Sequence, residues 1–342
     1  MTIDFNELNI NTLNPESPFD VQVLDFLKSW LSKSDSLEVQ TSGSTGVPKK
    51  LLVQKNKMVD SAKMTCSFLG LSQRNSALLC LPVEYISGMM MVVRAAEAGM
   101  ILKTTVPDSV PLEHISEQFD FCAMTPLQVE NSIEKLHLIK NLIIGGAAVS
   151  TALKAKIKTH LDLHGPGNRI YETYGMTETL SHIAMKNIYP DEENFFRILP
   201  DVQIETDERG CLRIYAPKVN DAWLQTSDVV EITDGGSFRF LGRADHVINS
   251  GGAKIHPEEI EEKLKKVVDR ELMVFGKKDD ILGEQLTLMI EGEENAQILA
   301  EIEAVQFDKK FHRPKEIIFV PKIPRTPNGK ISRIEAKKLS SL

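Results

Sequence analysis

Short apolar runs that alternate with helical patterns most restrict the fold of this chain. Helical spacing of apolar residues covers residues 21–31 and 56–69. The apolar runs are residues 77–81, 99–104, 121–124, 141–144 and 169–174. Strands separated by helices predict an α/β fold, with a mostly parallel sheet covered by helices. Ligand sites in such folds lie at the carboxyl ends of the strands.

The later part of the chain has a different pattern. From Val202 onward, short strands, turns and glycines predict a β-rich subregion. Beyond it, Pro257 begins a helix with acids early and lysines late, within a small α+β region. A chain of 342 residues fits two domains. We expect a large domain over residues 1–244 and a small mobile domain over residues 245–342.

Composition excludes several classes of protein. Lys and Arg number 40 against 48 acidic residues, a balance that disfavours a nucleic-acid-binding surface. The most apolar long segment, residues 86–102, is interrupted by Arg94 and Glu97 and is too short for a membrane span, so it predicts a core helix. No secretory signal is visible. The four scattered cysteines predict neither a zinc cage nor a disulfide framework and favour the cytoplasm.

A loop rich in glycine and hydroxyl groups follows the first helix. It consists of Thr41, Ser42, Gly43, Ser44, Thr45, Gly46, Val47, Pro48 and Lys49. The glycines let backbone N–H groups turn toward one anion, and the hydroxyls and lysine add donors for phosphate oxygens. The spacing differs from that of the ordinary P-loop. Taken alone, the segment is equally compatible with a surface turn.

Three further segments carry polar groups suited to a nucleotide. Tyr174, Thr177 and Glu178 supply an aromatic face, a phosphate donor and an oxygen ligand for Mg²⁺. Asp228 can accept from ribose hydroxyls, and Arg243 can donate to the same sugar. A turn near the C-terminus presents Lys330, a compact charge suited to a phosphate. The alternatives are a core aromatic with a helix-end acid, a surface ion pair and a solvated lysine.

Together and in this order, these motifs resemble the adenylate-forming family of acyl-CoA synthetases, luciferases and peptide-synthetase adenylation domains. The resemblance runs from about Thr41 to Arg333 and includes Gly145-Gly146-Ala147, the Tyr-Gly-x-Thr-Glu box and the stretch over residues 242–261. It implies ATP, Mg²⁺ and coenzyme A as cofactors and a small carboxylic acid as substrate. Oligomeric state stays open.

The resemblance also implies a role for each matching residue. Residues 41–49 would grip the triphosphate, and Gly145, Gly146, Ala147 and Tyr174 would frame the adenine. Thr177 would meet the α-phosphate, Glu178 the magnesium, and Asp228 and Arg243 the ribose. Asp245 matches the hinge between domains. Ser250, Gly251 and Gly252 match the pantetheine channel, and Lys330 matches the lysine that assists adenylation.

The implied reaction has two half-steps. A carboxylate attacks the α-phosphorus of ATP to give an acyl-AMP and pyrophosphate, and a thiol then displaces AMP. Positioned cations and N–H donors are expected to supply most of the acceleration. Lys330 would serve the first step only. Rotation of the small domain about Asp245 would then bring the Gly251-Gly252 loop to the thiol.

The short length of the chain and the sequence of residues 175–184 resemble the branch of the family that activates o-succinylbenzoate in menaquinone synthesis. This substrate is an aromatic keto acid with two carboxylates. Such a site needs apolar walls and polar anchors for the carboxylate that is not activated. The candidate anchors are Tyr85, Thr125, Gln128, Ser181 and His182. About forty residues precede the phosphate loop, fewer than in relatives, so part of the large domain is expected to be trimmed.

Three positions depart from the family pattern. Tyr85 stands at the position of a family histidine, Ser227 replaces a glycine, and Asn249 replaces a frequent lysine. The alternatives are another aryl or medium-chain acid:CoA ligase, an enzyme that loads a separate carrier protein, and a nucleotide sensor without turnover. A sensor predicts damage to Lys330 or Glu178, and both are intact.

Overall fold

The computed structural model describes residues 1–40, 50–233, 235–325 and 331–339. Its helices are α1 (Pro18–Leu31), α2 (Lys55–Leu69), α3 (Ile86–Ala98), α4 (Pro126–Asn131), α5 (Thr151–Asp162), α6 (Pro257–Leu264), α7 (Ala296–Ala304) and α8 (Arg333–Leu339). Its strands are β1 (Thr2–Asp4), β2 (Ser36–Gln40), β3 (Lys50–Gln54), β4 (Ser76–Leu79), β5 (Ile101–Thr104), β6 (Phe119–Met124), β7 (Ile139–Ile144), β8 (Arg169–Gly175), β9 (His182–Tyr189), β10 (Arg197–Ile198), β11 (Gln203–Thr206), β12 (Cys211–Ala216), β13 (Asn220–Ile232), β14 (Phe238–Arg243), β15 (Ile248–Ser250), β16 (Ala253–Ile255), β17 (Leu272–Asp279), β18 (Gly283–Glu291) and β19 (Glu316–Val320).

The main sheet has the strand order β1-β5-β4-β6-β7-β8-β9-β10. Strands β5, β4, β6, β7 and β8 run parallel, and the outer strands β1, β9 and β10 pair antiparallel. All five predicted apolar runs correspond to the parallel strands. The predicted α/β fold is therefore confirmed, and its parallel strands end at a common edge.

Helices cover both faces of this sheet. Along β6, Phe121 faces the cluster that contains Met90 of α3, whereas Cys122 faces the cluster that contains Leu153 and Ile157 of α5. This alternation follows from the two-residue period of a strand buried on both sides. The core around α2 and α3 therefore lies on one face and that of α5 on the other.

One predicted boundary is wrong. Residues 86–102 do not form a single helix, because α3 ends at Ala98 and Gly99 adopts a left-handed φ of +64°. Glycine reaches this conformation without strain and commonly ends helices. The chain then enters β5. The final residues of the apolar segment are therefore a buried strand of the sheet.

Two smaller sheets follow. Strands β11 to β14 form an antiparallel sheet in chain order, as the glycine-rich texture predicts. Strands β15 to β19 form a third sheet, in which β19 runs parallel to β18. Ile260 of α6 and Ile302 of α7 pack on this third sheet, and Ala336 of α8 joins a separate cluster with Phe275. Residues from Ile248 onward thus have buried cores of their own.

No helix within the described ranges is long and apolar enough to cross a membrane. The four cysteines are free and buried; they are Cys66, Cys80, Cys122 and Cys211.

Candidate active site

Three of the predicted nucleotide and acid residues lie at the carboxyl edge of the main sheet. Thr125 follows β6, Gly145 follows β7, and Tyr174 lies one residue before the end of β8. Because these three strands are adjacent and parallel, their carboxyl ends lie side by side. The topology therefore brings together residues that are far apart in sequence.

Tyr174, Asp228 and Arg243 form one hydrogen-bonded group. The Tyr174 hydroxyl donates to Oδ2 of Asp228 across 2.5 Å, and Nη1 of Arg243 donates to Oδ1 across 3.3 Å. Asp228 and Arg243 are paired in register on β13 and β14. The Asp228 side chain is 13% exposed, so this group is more than a surface ion pair. The predicted ribose residues do lie together beside the predicted adenine residue.

Aromatic packing fixes the Tyr174 ring. Its centroid lies 4.9 Å from that of Phe238 in an edge-to-face arrangement and 5.9 Å from that of Phe196. Burial, followed by the charge of Asp228, raises the pKa of Tyr174 far above its usual range. The phenol therefore stays protonated and acts as a donor to the Asp228 carboxylate.

A buried carboxylate holds the start of the helix that follows the Gly145-Gly146-Ala147 segment. Oε1 of Glu172 accepts from the backbone N–H of Val149 across 3.1 Å, and Oε2 lies 3.0 Å from Nζ of Lys186. Gly146 has a φ of +86°. A Cβ at Gly145 would lie 2.7 Å from Oγ1 of Thr173. Glycine at positions 145 and 146 therefore leaves the backbone at the carboxyl end of β7 free of side chains.

Gly175 permits a close approach after β8. A Cβ at this position would lie 2.2 Å from the carbonyl oxygen of Ser181 and 2.4 Å from Cα of His182. The chain turns there into a short 3₁₀ segment, Thr177–Thr179, which contains both predicted phosphate and metal residues. Glu178 is exposed, and Nδ2 of Asn220 donates to its backbone oxygen across 3.2 Å. None of the described side chains pairs with its carboxylate.

Arg94 is a buried cation that the sequence patterns did not identify as a site residue. It lies on α3 and is 2% exposed. Nη2 donates to Oγ of Ser181, whereas Nε is buried and has no hydrogen-bond partner. Burial lowers the pKa of Arg94 to about 10, which leaves it charged at neutral pH. Within the described ranges no carboxylate forms an ion pair with it.

A directed chain of hydrogen bonds continues from Ser181. Oγ1 of Thr65 donates to the carbonyl of Ser61, so it can accept from Nε2 of His182, which lies 3.0 Å away. Nδ1 of His182 then accepts from Oγ of Ser181 across 3.2 Å. Burial and the charge of Arg94 hold the pKa of His182 well below its usual value. The imidazole is therefore neutral, with its proton on Nε2.

Thr125 and Gln128 have structural roles. They form the capping box at the start of α4. Nε2 of Gln128 donates to the carbonyls of Cys80 and Asp108 across 3.1 and 2.9 Å, and Oε1 accepts from the backbone of Thr125. The Gln128 amide therefore has no donor left for a substrate. Tyr85 lies half-buried at the start of α3, where no described group bonds its hydroxyl.

The predicted hinge residue lies between the second and third sheets, and the residues predicted to line the pantetheine channel lie within the third. Asp245 lies in the 3₁₀ turn Ala244–His246, which connects β14 to β15. Nη2 of Arg243 donates to its Oδ2 across 2.9 Å, and this bond lowers the pKa of Asp245. Ser250, Gly251 and Gly252 border an open cleft of about 460 Å³, whose other lining residues are Ala253, Leu282, Leu286, Phe311 and Lys315.

The predicted phosphate loop and Lys330 lie outside the described residues. The described residues on either side of each segment are paired antiparallel. Gln40 of β2 pairs with Lys50 of β3, and Arg325 pairs with Ile331.

Comparison with known proteins gives a consistent result. The model of the AMP-binding enzyme family matches residues 17–207. The 2-succinylbenzoate–CoA ligase of Lactococcus lactis subsp. lactis (strain IL1403) is 27% identical over 324 residues, which are 87% of this chain and 70% of that protein.

Two solved structures share the fold. An acyl-CoA synthetase (AMP-forming)/AMP-acid ligase II-like protein from Dyadobacter fermentans DSM 18053 is 34% identical, with a TM-score of 0.66 and 99% of each chain covered. The o-succinylbenzoate coenzyme A synthetase of Bacillus subtilis, in complex with ATP and magnesium ion, is 20% identical, with a TM-score of 0.74. That match covers 88% of this chain and 69% of the other.

Proposed function

The chain belongs to the AMP-binding enzyme family, and we propose that it is an ATP-dependent acid:CoA ligase that converts o-succinylbenzoate to its CoA thioester in menaquinone biosynthesis. The carboxylate oxygen attacks the α-phosphorus of ATP and pyrophosphate leaves. The CoA sulfur then attacks the acyl carbon and AMP leaves. The family match supports the reaction class, and one observation, the buried and unpaired Arg94, supports the choice of acid.

Arg94 is suited to bind the second carboxylate of the substrate, because no carboxylate of the protein pairs with it within the described ranges. A buried charge without a partner costs several kcal/mol. An anion that enters beside it removes that cost, and the free Nε and the Nη groups offer the paired donors that a carboxylate accepts. Ser181 and His182 lie next to Arg94 and hold its orientation. A monocarboxylic substrate would leave the guanidinium unpaired.

The nucleotide would lie along the edge defined by Gly145, Tyr174 and Asp228. An ionised carboxylate has about four acceptor sites. Two of these at Asp228 are occupied by Tyr174 and Arg243, which leaves acceptors for ribose hydroxyls. The Tyr174 hydroxyl holds the carboxylate in place, so its ring and the Asp228 oxygens form one preorganised unit.

Magnesium fits the donor set at the 3₁₀ turn. Glu178 offers an exposed carboxylate without a protein partner among the described residues, and Mg²⁺ is usually held by one or two carboxylates together with substrate phosphates. When bound, the ion neutralises charge on the phosphates. Thr177, in the same turn, would donate to the α-phosphate.

The two segments outside the described residues complete the proposal. Residues 41–49 would hold the triphosphate, and Lys330 would stabilise charge on the acid and the α-phosphate during adenylation. Domain boundaries at residues 244 and 245 would allow rotation about Asp245. The cleft beside Gly251 and Gly252 would then receive the pantetheine arm, with Phe311 as an apolar wall and Lys315 as a cation at its rim.

The test is pyrophosphate release by the purified chain across a panel of acids. The panel contains o-succinylbenzoate, benzoate, a medium-chain fatty acid and 4-oxo-4-phenylbutanoate, which lacks the ring carboxylate. A clear preference for o-succinylbenzoate is expected. Preference for another acid would identify a different substrate. Transfer of the acyl group only to a carrier protein would identify a different acceptor, and ATP binding without pyrophosphate release would indicate a sensor.

A further inference from the structure

Three histidines cluster far from the candidate active site. His137 lies in the 3₁₀ turn Ile133–Leu138, His160 lies in the last turn of α5, and His164 follows two residues after that helix. One ligand atom from each lies within 4.8 Å of the others, and no other such group is present in the described part of the chain. The cysteine spacing predicts no zinc cage, but the four-residue spacing of His160 and His164 also suits metal ligands.

The distances suit a tetrahedral metal ion. Nδ1 of His137 lies 3.3 Å from Nε2 of His160. Zinc–nitrogen bonds of about 2.0–2.1 Å in a tetrahedron put neighbouring nitrogens about 3.3 Å apart. This pair therefore already has the separation of two ligands on one ion.

The third imidazole has a free nitrogen. Nδ1 of His164 lies 2.8 Å from the carbonyl oxygen of His160, so this nitrogen carries the proton and donates it. Ligand histidines commonly bond a backbone carbonyl in this way, which fixes the tautomer and leaves Nε2 for the metal. His164 stacks on His137 with centroids 4.1 Å apart. One ligand atom of His164 lies within 4.8 Å of those of the other two histidines.

We propose that His137, His160 and His164 bind one Zn²⁺ ion, with water as the fourth ligand. Three neutral imidazoles favour zinc and similar transition metals over Mg²⁺, which prefers oxygen ligands. The ion would join the 3₁₀ turn before β7 to the end of α5. The ion would tie together two elements that pack on the same face of the sheet.

The zinc site and the nucleotide site lie at opposite ends of β7. His137 comes two residues before Ile139, the first residue of the strand, and Gly145 directly follows its last residue. Six residues of parallel strand span about 20 Å. Zinc should therefore stabilise the fold without entering the reaction, which separates this proposal from the proposed function.

The test uses the full chain without an affinity tag, stripped of metal and titrated with Co²⁺ in the presence of excess Mg²⁺. One Co²⁺ per chain is expected, with the visible bands of a tetrahedral nitrogen-ligated ion, and Zn²⁺ should displace it. Zn²⁺ should also raise the thermal unfolding midpoint. His160→Ala and His164→Ala should each weaken binding at least about tenfold.

His114→Ala is the matched control, because His114 is exposed and does not belong to the group of three histidines. It should bind Co²⁺ as the wild type does. Failure of the wild type to bind, unchanged binding by His164→Ala, or an intense thiolate-to-cobalt band would each overturn the assignment. His164 is exposed, so its replacement keeps the test valid even if a change at His160 prevents folding.

Discussion

The hydroxyl of Tyr174 and Oδ2 of Asp228, 54 residues apart in sequence, lie 2.5 Å apart and connect the parallel sheet to the antiparallel sheet. Tyr174 comes from the end of β8 and Asp228 from the middle of β13. The contact puts the proposed adenine and ribose residues in one unit. It also makes the position of Asp228 depend on a side chain from another sheet.

Tyr174→Phe keeps the ring packing against Phe238 and removes only this donor. Loss of a hydrogen bond to a charged group is expected to cost about 1.5–3 kcal/mol. We expect KM for ATP to rise by roughly tenfold or more, because Asp228 is no longer held for the ribose. Steady-state kinetics with varied ATP measure the effect. Tyr215→Phe, on a ring that stacks on Trp223 in the second sheet, is the control.

Gly175→Ala should damage folding or remodel the turn that carries Thr177 and Glu178. The added Cβ would come within 2.2 Å of the Ser181 backbone oxygen, and backbone atoms cannot move aside as a flexible side chain can. We expect a loss of several kcal/mol in the free energy of unfolding, measured with urea. Gly235→Ala is the comparison, since Gly235 has no left-handed φ and the atom nearest to a Cβ there, Oγ1 of Thr233, lies 4.0 Å away. Equal stability of the Gly175 variant and wild type would contradict this close approach of the two backbone segments.

Arg94→Gln should affect one substrate and spare another. With o-succinylbenzoate, kcat/KM should fall by roughly one to two orders of magnitude, the effect of losing a hydrogen bond to a charged group. With 4-oxo-4-phenylbutanoate, which lacks the ring carboxylate, the variant should equal the wild type. Pyrophosphate release measures all four combinations. Equal losses with both acids would mean that Arg94 only supports the fold.

Stability below neutral pH should depend on His182. Its folded-state pKa is well below its unfolded value because of burial and the charge of Arg94. The neutral His182 imidazole contributes fully to stability above the unfolded pKa of about 6.5. As the pH falls from there toward the folded-state pKa, the free energy of unfolding decreases by up to about 1.4 kcal/mol per pH unit. His182→Gln should reduce this slope between about pH 6.5 and 5. Urea unfolding of both proteins at several pH values measures it, and an identical slope would show that His182 titrates normally.

Much of this arrangement could be predicted from the sequence, because hydrophobic patterns and short motifs report local structure. The patterns predict strands over residues 141–144 and 169–174, where the structure has β7 and β8. The family resemblance implies that Tyr174, Asp228 and Arg243 belong to one site. Gln128 as an acid anchor stays a prediction; in the structure its amide N–H groups bond two backbone carbonyls, and the Thr125-x-x-Gln128 spacing is that of a capping box.

Arg94 could not be assigned to a site from the sequence. A charged residue in an apolar helical segment indicates only a break in the apolar pattern, unless the surfaces that pack against the helix are known. Its burial and its contact with Ser181 depend on how α3 packs beside the end of β8. The histidine cluster depends likewise on tertiary placement, since His137 and His160 are 23 residues apart. Both features thus depend on contacts between segments that are distant in sequence, and hydrophobic patterns and short motifs do not report such contacts.

The central claim is tested most directly by product analysis with purified chain, o-succinylbenzoate, ATP, Mg²⁺ and CoA. The wild type should form AMP, pyrophosphate and the CoA thioester in equal amounts. Lys330→Ala should fail to form acyl-AMP from ATP yet still convert supplied acyl-AMP to thioester. ADP as the product, or no thioester from the wild type at any acid concentration, would contradict the account.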